Sequence, residues 1–328
     1  MDRNVVAFRL GAADISAIRF GISPGHELCL AVRALQAPAH QPLHWAWLRD
    51  VRGAVPAGAF ELFTDLVAPA AYFPDFLSLT PAPDMTPADQ VDLLRAVPAE
   101  QIRADLAKVL LRAAGARHAR VAAMREDPDG TRERVVAAWR ELWDALLAPY
   151  WALLRRLLVA DVAARSREAG GAGLAAMVAA LHERVSWHGD AVRVRMRQWS
   201  ESVPCEGSGL LLVPSVLGVP YCSVLTEPPA PPMLFYPARG VTEVWHRGAT
   251  GGFPALAGLL GEGRARVLAG LDGPRSTSDV ANGCGLAVST ASHHLERLRA
   301  AGLVDSRRDG IRVLHARTPL GDALVAPV

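Results

Sequence analysis

Ser278-Asp279-Val280-Ala281-Asn282-Gly283-Cys284-Gly285-Leu286-Ala287-Val288-Ser289-Thr290-Ala291-Ser292-His293-His294-Leu295-Glu296-Arg297-Leu298-Arg299-Ala300-Ala301-Gly302 is the stretch whose local signals agree best with one another. A short helix from Ser278 to about Asn282 leads through Gly283 to Leu286 into a longer helix over Ala287 to Ala301. Gly302 follows where a left-handed residue closes the last turn. Two helices joined by a short glycine-containing turn form a helix-turn-helix, and Ala281 is small enough for a close crossing.

If Ala291, Leu295 and Leu298 face the core, an advance of 100° per residue puts Ser289 and His293 on the opposite side. Arg297 flanks that stripe, Thr290 and Ser292 lie at its edges, and His294 lies nearer the core. Short polar groups near the start of a helix, followed by arginine, suit a major groove, where they reach base edges and phosphates. Downstream, Leu303 to Leu314 reads as a two-stranded ribbon turning at Asp309-Gly310, with Arg307, Arg308 and Arg312 at its tip. Such a tip suits a wing lying along the backbone or in a minor groove. The candidate contact set is therefore Val288, Ser289, Thr290, Ser292, His293, His294, Arg297, Arg307, Arg308 and Arg312, and the expected partner is double-stranded DNA. Six arginines and two acids fall between positions 297 and 317. Over all 328 residues the formal charge is only +2, so this basic patch is local.

Upstream, Leu259, Leu260, Val267, Leu268 and Leu271 supply an opening helical face for the same unit. From Ser278-Asp279-Val280-Ala281 through Gly285-Leu286 and Ser289 to Val304, the segment resembles the winged helix-turn-helix of ArsR/SmtB-type transcriptional regulators over roughly residues 256 to 324. The resemblance implies a homodimer, a pseudo-palindromic operator, and repression relieved by a signal. Metal-sensing members carry Cys-Val-Cys-Asp where this chain reads Ser276-Thr277-Ser278-Asp279. Hydroxyls do not replace thiolates for soft metals, so no metal site and no cofactor are expected.

Residues 1–252 are expected to form a large α+β domain, and 253–328 the winged helix-turn-helix, with the boundary near Gly252 in a glycine-rich segment. Val5 to Leu10 and Ile15 to Phe20 read as an initial strand pair, and Pro24 opens a helix. Helices are expected from Pro87 to Ala96 and after Pro98. The strongest periodicity runs from Val135 to Leu147 and, beyond a break at Pro149, from Trp151 to Val162, with Gly170-Gly171 as the stop. A further helix follows from Leu174 to about His182. The period then becomes alternating, with strands at 185–187 and 192–196 around a His188-Gly189-Asp190 turn, then at 210–213, 221–225 and 233–236. The first part resembles, less specifically, an N-terminal domain of unassigned function found in actinobacterial regulators, through Arg19-Phe20, Ser23-Pro24, Pro74-Asp75-Phe76 and Leu211 to Ser215.

Aromatics concentrate between His40 and Phe76 and again on the 135–162 helices. Trp45, Trp47, Phe63, Tyr72, Phe73, Phe76, Trp139, Trp143 and Trp151 are candidate walls of a pocket for a small, partly apolar effector, the alternative being ordinary core. A second reading makes the large domain only a dimerisation or protein-docking module. No Gly-x-Ser-x-Gly elbow or phosphate-cradling loop is present, so no catalytic residue is proposed and an enzyme is not expected. The four cysteines are too scattered for a disulfide framework or a zinc site. Apolar runs are too short for a membrane helix, and the N-terminus lacks a signal-peptide pattern, so the expected location is cytoplasmic, away from membranes.

Overall fold

The computed structural model describes residues 4–70, 72–197, 199–228, 230–241, 253–271, 273–309 and 312–325. The chain divides into two compact units, residues 1–244 and 245–328. The boundary expected near Gly252 lies outside the described residues.

The first unit combines two four-stranded sheets with a helical half, as its α+β reading requires. One sheet has the order β3 (Val185–His188), β4 (Ala191–Arg195), β1 (Val5–Arg9), β5 (Glu201–Pro204). Alternation along these strands sends Val6, Phe8, Val192, Val194 and Val203 to one face, where they join Met177 and Val178 of α10 (Leu174–Ala179). The second sheet has the order β2 (Arg19–Phe20), β6 (Leu211–Ser215), β8 (Met233–Pro237), β7 (Ser223–Leu225), with β2, β6 and β8 parallel. Its Leu212, Leu234 and Tyr236 meet the first sheet's core, while Leu211, Val213, Met233 and Phe235 form a separate cluster. Burial on both faces explains why β6 reads as an unbroken apolar run.

Several helices of this unit start where the sequence says they should. Pro24 opens α2 (Pro24–Gln36), with Ser23 Oγ accepting from His26 N at 3.1 Å. Pro87 opens α5 (Pro87–Ala96) inside a Thr86/Asp89 capping box, and α6 spans Ala99–Leu110. The periodic stretch becomes α8 (Pro128–Leu146) and α9 (Ala148–Ala172), separated at Leu147. Gly170 and Gly171 do not stop α9, which runs through them; its stop is Gly173, whose φ is +89°.

The expected initial strand pair does not form. Ala12–Ser16 is a helical turn, α1, and β2 pairs with β6 rather than β1. The cause is Asp14, whose buried carboxylate accepts from Gly11 N (2.8 Å), Gly207 N (2.6 Å) and Gly209 N (3.1 Å). Three backbone donors fix a turn that the apolar side chains alone would have allowed to extend.

A buried polar network holds the end of β8 against α9. Asp161 accepts from the Tyr236 hydroxyl at 2.8 Å and from Arg239 N at 3.1 Å, while Arg165 donates to Ala180 O at 2.9 Å. Arg239 also pairs with Glu168.

Candidate nucleic-acid interface

The second unit is built on α11 (Phe253–Leu260), α12 (Glu262–Ala269), α13 (Thr277–Cys284), α14 (Val288–Ala300) and α15 (Pro319–Val325). Ser276 caps α13 in a reciprocal box: its Oγ accepts from Asp279 N at 3.3 Å, and Asp279 Oδ2 accepts from Ser276 N at 3.2 Å. The turn closes on Gly285 with φ +64°, a conformation that favours glycine, and Leu286 N reaches back to Ala281 O at 2.9 Å. Helix α14 then begins at Val288 and ends before Gly302, whose φ is +70°.

Ala291, Leu295 and Leu298 point into a core with Val267, Leu268, Val280 and Ala281. Burying each leucine contributes about 2 kcal/mol. That anchoring fixes the rotation of α14. Ser289, Thr290, Ser292, His293 and Arg297 are exposed, as is Val288 at 52%. His294 is half-buried against α12: a Cβ on Gly263 would sit 2.6 Å from its Nε2. Burial, with His293 and Arg264 adding to it, holds the His294 imidazole below its ordinary pKa. The exposed stripe carries hydroxyls at its start and a guanidinium at Arg297.

The wing is an antiparallel ribbon of β10 (Val304–Asp309) and β11 (Arg312–Arg317), to which β9 (Arg275–Ser276) adds a third strand. Arg307 lies opposite Leu314 and Arg308 opposite Val313, and both arginines are exposed. Neighbours along a strand point to opposite faces, so these two guanidinium groups leave the ribbon on opposite sides. Arg312 pairs with Asp309 in the register, while the turn at 310–311 lies outside the described residues.

Sequence reasoning missed His315. This residue is 9% exposed and bridges three elements, with Nε2 at 3.0 Å from Thr277 Oγ1 at the start of α13 and Nδ1 at 2.8 Å from Ser306 Oγ in β10. Burial, then Arg299, keeps the ring neutral-leaning. The hydroxyl of Thr277 is thus engaged in locking the wing to the helix pair. The signal was present: in β11 the alternation places His315 on the inward side.

The nine aromatics of the first unit differ in their surroundings. Trp47, Phe63, Phe76 and Trp139 are filled-in core, each 1% exposed or less, and Trp143 is buried. Trp139 and Trp143 stack at 5.0 Å, Trp151 meets Trp143 edge-on at 4.9 Å, and Trp45 is exposed. Tyr72 and Phe73 are half-buried. A cavity of about 120 Å³ is lined instead by Asp75, Ser78, Leu79, Thr80, Gln101, Asp105, Glu227, Pro228 and Ala230. Beside it Lys108 Nζ reaches Glu227 (2.7 Å), Asp75 (3.1 Å) and Asp105 (3.4 Å). Burial raises the pKa of both aspartates, their mutual repulsion adding to it at Asp75.

Comparison with known proteins follows this division. Residues 262–307 match the family model of a helix-turn-helix domain. The second unit contains a helix-turn-helix domain. Residues 103–242 match a family of unknown function (DUF5937). No curated protein and no solved structure matches the chain. The helix-turn-helix domain marks the chain as a DNA-binding transcription regulator, and among the described residues no helix is long and apolar enough to cross a membrane.

Proposed function

We propose that this chain is an ArsR-type, non-metal-sensing repressor that binds a pseudo-palindromic operator as a homodimer in the cytoplasm, under control of a small molecule held by its N-terminal unit. The observation that carries the DNA-binding part is the rotation of α14: with Ala291, Leu295 and Leu298 buried, Ser289, Thr290, Ser292, His293 and Arg297 form one exposed stripe of groove-reading groups. Effector control draws support from the polar cavity at Asp75, Gln101 and Asp105, and bound ligand would act through its differential affinity for two dimer geometries. The N-terminal unit is read as a binding unit and not an enzyme. Burial pushes the Cys29 thiol up to about 12 and the Cys205 thiol up to about 11, which leaves neither a thiolate at neutral pH.

The filled aromatic core favours a second reading, in which the N-terminal unit only dimerises the protein or docks a partner. Gel-shift titration of the full chain against the DNA upstream of its own gene, with unrelated duplex as competitor, tests the main proposal. Competitor-resistant binding of two chains per site is the expected result; equal affinity for operator and competitor at every salt concentration would sink it. Repeating the titration with a metabolite collection separates the two readings of the N-terminal unit.

A further inference from the structure

The sheet β3-β4-β1-β5 has a second face that its core does not use. Register places Val5 opposite Arg195, Ala7 opposite Arg193 and Arg9 opposite Ala191 on this side, with Ser186 beside Arg193 and Ser202 beside Ala7. Apart from Ala191, these side chains are half-buried or exposed. The face is a floor of alanine and serine from which arginines rise. Arg193 and Arg195 are alternate residues of β4, so they stand about 7 Å apart along the strand. Arg9 stands diagonally across from Arg193, at about 7–8 Å between backbones. Arg197 follows just past the strand, its guanidinium 5.5 Å from the ring of Tyr221, which is exposed.

Asp190 pairs with Arg9 at 3.1 Å. Among the described residues no acidic side chain pairs with Arg193, Arg195 or Arg197, and Arg195 donates to the backbone carbonyl of Glu183 at 2.8 Å. Glu201 lies opposite Val6 and so belongs to the other side of the sheet. Arg193 Nε is enclosed and has no hydrogen-bond partner among the described residues. Arg193 is otherwise half-buried, and a guanidinium whose Nε finds no acceptor is stabilised by an anion at its remaining N–H groups.

We propose that this sheet face is a second nucleic-acid contact, in which Arg9, Arg193, Arg195 and Arg197 bind the phosphate backbone of duplex DNA without reading its sequence. The inference rests on the DNA-binding reading of the second unit. Charge complementarity selects a polyanion, and the small-residue floor offers no row of aromatic platforms for unstacked bases, which favours a duplex over a single strand.

The test is fluorescence anisotropy of the full chain on a duplex of arbitrary sequence across a series of salt concentrations. Each phosphate contact contributes about 0.9 to the slope of log K against log salt. The double variant Arg193→Gln/Arg195→Gln is expected to lower that slope by about 2, and Arg193→Lys/Arg195→Lys to restore it, which separates charge from folding. A glutamine variant that superimposes on the parent, while Arg307→Ala/Arg308→Ala does lower the slope, overturns the proposal and leaves the helix-turn-helix reading intact. A parent chain that binds no duplex even at low salt overturns both. If the glutamine variant keeps its DNA slope but loses binding to polyglutamate, the face takes an acidic protein and the proposal falls.

Discussion

The indole N–H of Trp47 donates to the carbonyl oxygen of Leu146 at 3.0 Å, joining residues 99 positions apart. Leu146 ends α8, and its carbonyl has lost its usual partner because Tyr150 N bonds to Leu147 O at 3.0 Å instead. Pro149, which brings no N–H of its own, sits in the first turn of α9. A helix break imposed by proline is thus sealed by a side chain from α3 (Trp45–Val51). Trp47→Phe keeps most of the packing but strands that carbonyl, and is expected to destabilise the N-terminal unit by about 1–3 kcal/mol. Trp47→Ala should cost about 3–5 kcal/mol. Urea unfolding followed by circular dichroism measures both, and equal midpoints for parent and Phe variant would show that the bond contributes nothing.

Arg307 and Arg308 are not interchangeable, because they leave the wing on opposite faces. Single alanine substitutions should therefore differ: one lowers the salt slope of DNA binding by about 0.9, and the other leaves it nearly unchanged. Ser289→Ala/His293→Ala should instead reduce discrimination between operator and random duplex while leaving the salt slope close to that of the parent. Retention of full sequence preference by that double variant would mean that α14 meets DNA with another face.

His26 gives the N-terminal unit a defined acid sensitivity. It is buried, stacks on Phe235 at 3.7 Å, and burial, then the charge of Arg33, push its pKa down to about 3. A histidine with a depressed folded pKa binds fewer protons folded than unfolded, so its contribution is complete above about 6.5 and declines as pH falls from there towards about 3. His315 acts in the same direction in the second unit. His26→Phe should flatten the fall in stability below pH about 6.5 relative to the parent, as read from urea midpoints at a series of pH values. Parallel curves for the two proteins would contradict this assignment.

Helix α14 begins at Val288 behind an N-cap residue, Ala287, that has no side-chain acceptor for its first amides. Ala287→Ser is expected to stabilise the second unit by about 1 kcal/mol. Thermal unfolding checks this, and an unchanged melting temperature would show that those amides are already satisfied.

What the sequence made legible follows the range of the forces involved. In the second unit the turn at Gly285, the buried face of α14 and the stop at Gly302 all act within a few residues, and α13, α14 and the wing strands stand close to where they are expected. Proline starts were equally readable for α2 and α5. By contrast, α1 depends on Asp14 meeting Gly207 and Gly209, almost two hundred residues away, and no periodicity announces it. Helix α7 (Gly115–Glu126) buries little beyond Val121 and Met124, and β5 buries only Val203, so their patterns are weak. The cavity was invisible for the same reason: Asp75, Asp105 and Glu227 come together only through tertiary structure. Tryptophans were easy to find, but their number is no guide to whether they enclose space or fill it.

The carboxylate of Asp161 grips both the hydroxyl of Tyr236 and the amide of Arg239, and so fixes the last stretch of chain before the polypeptide continues to the DNA-reading unit. Mechanically this is a cleat on a mooring line. A pull on the chain beyond Arg239 would load the long helix α9, through Asp161 and Glu168, before it reached the hydrogen-bonded ladder between β6 and β8.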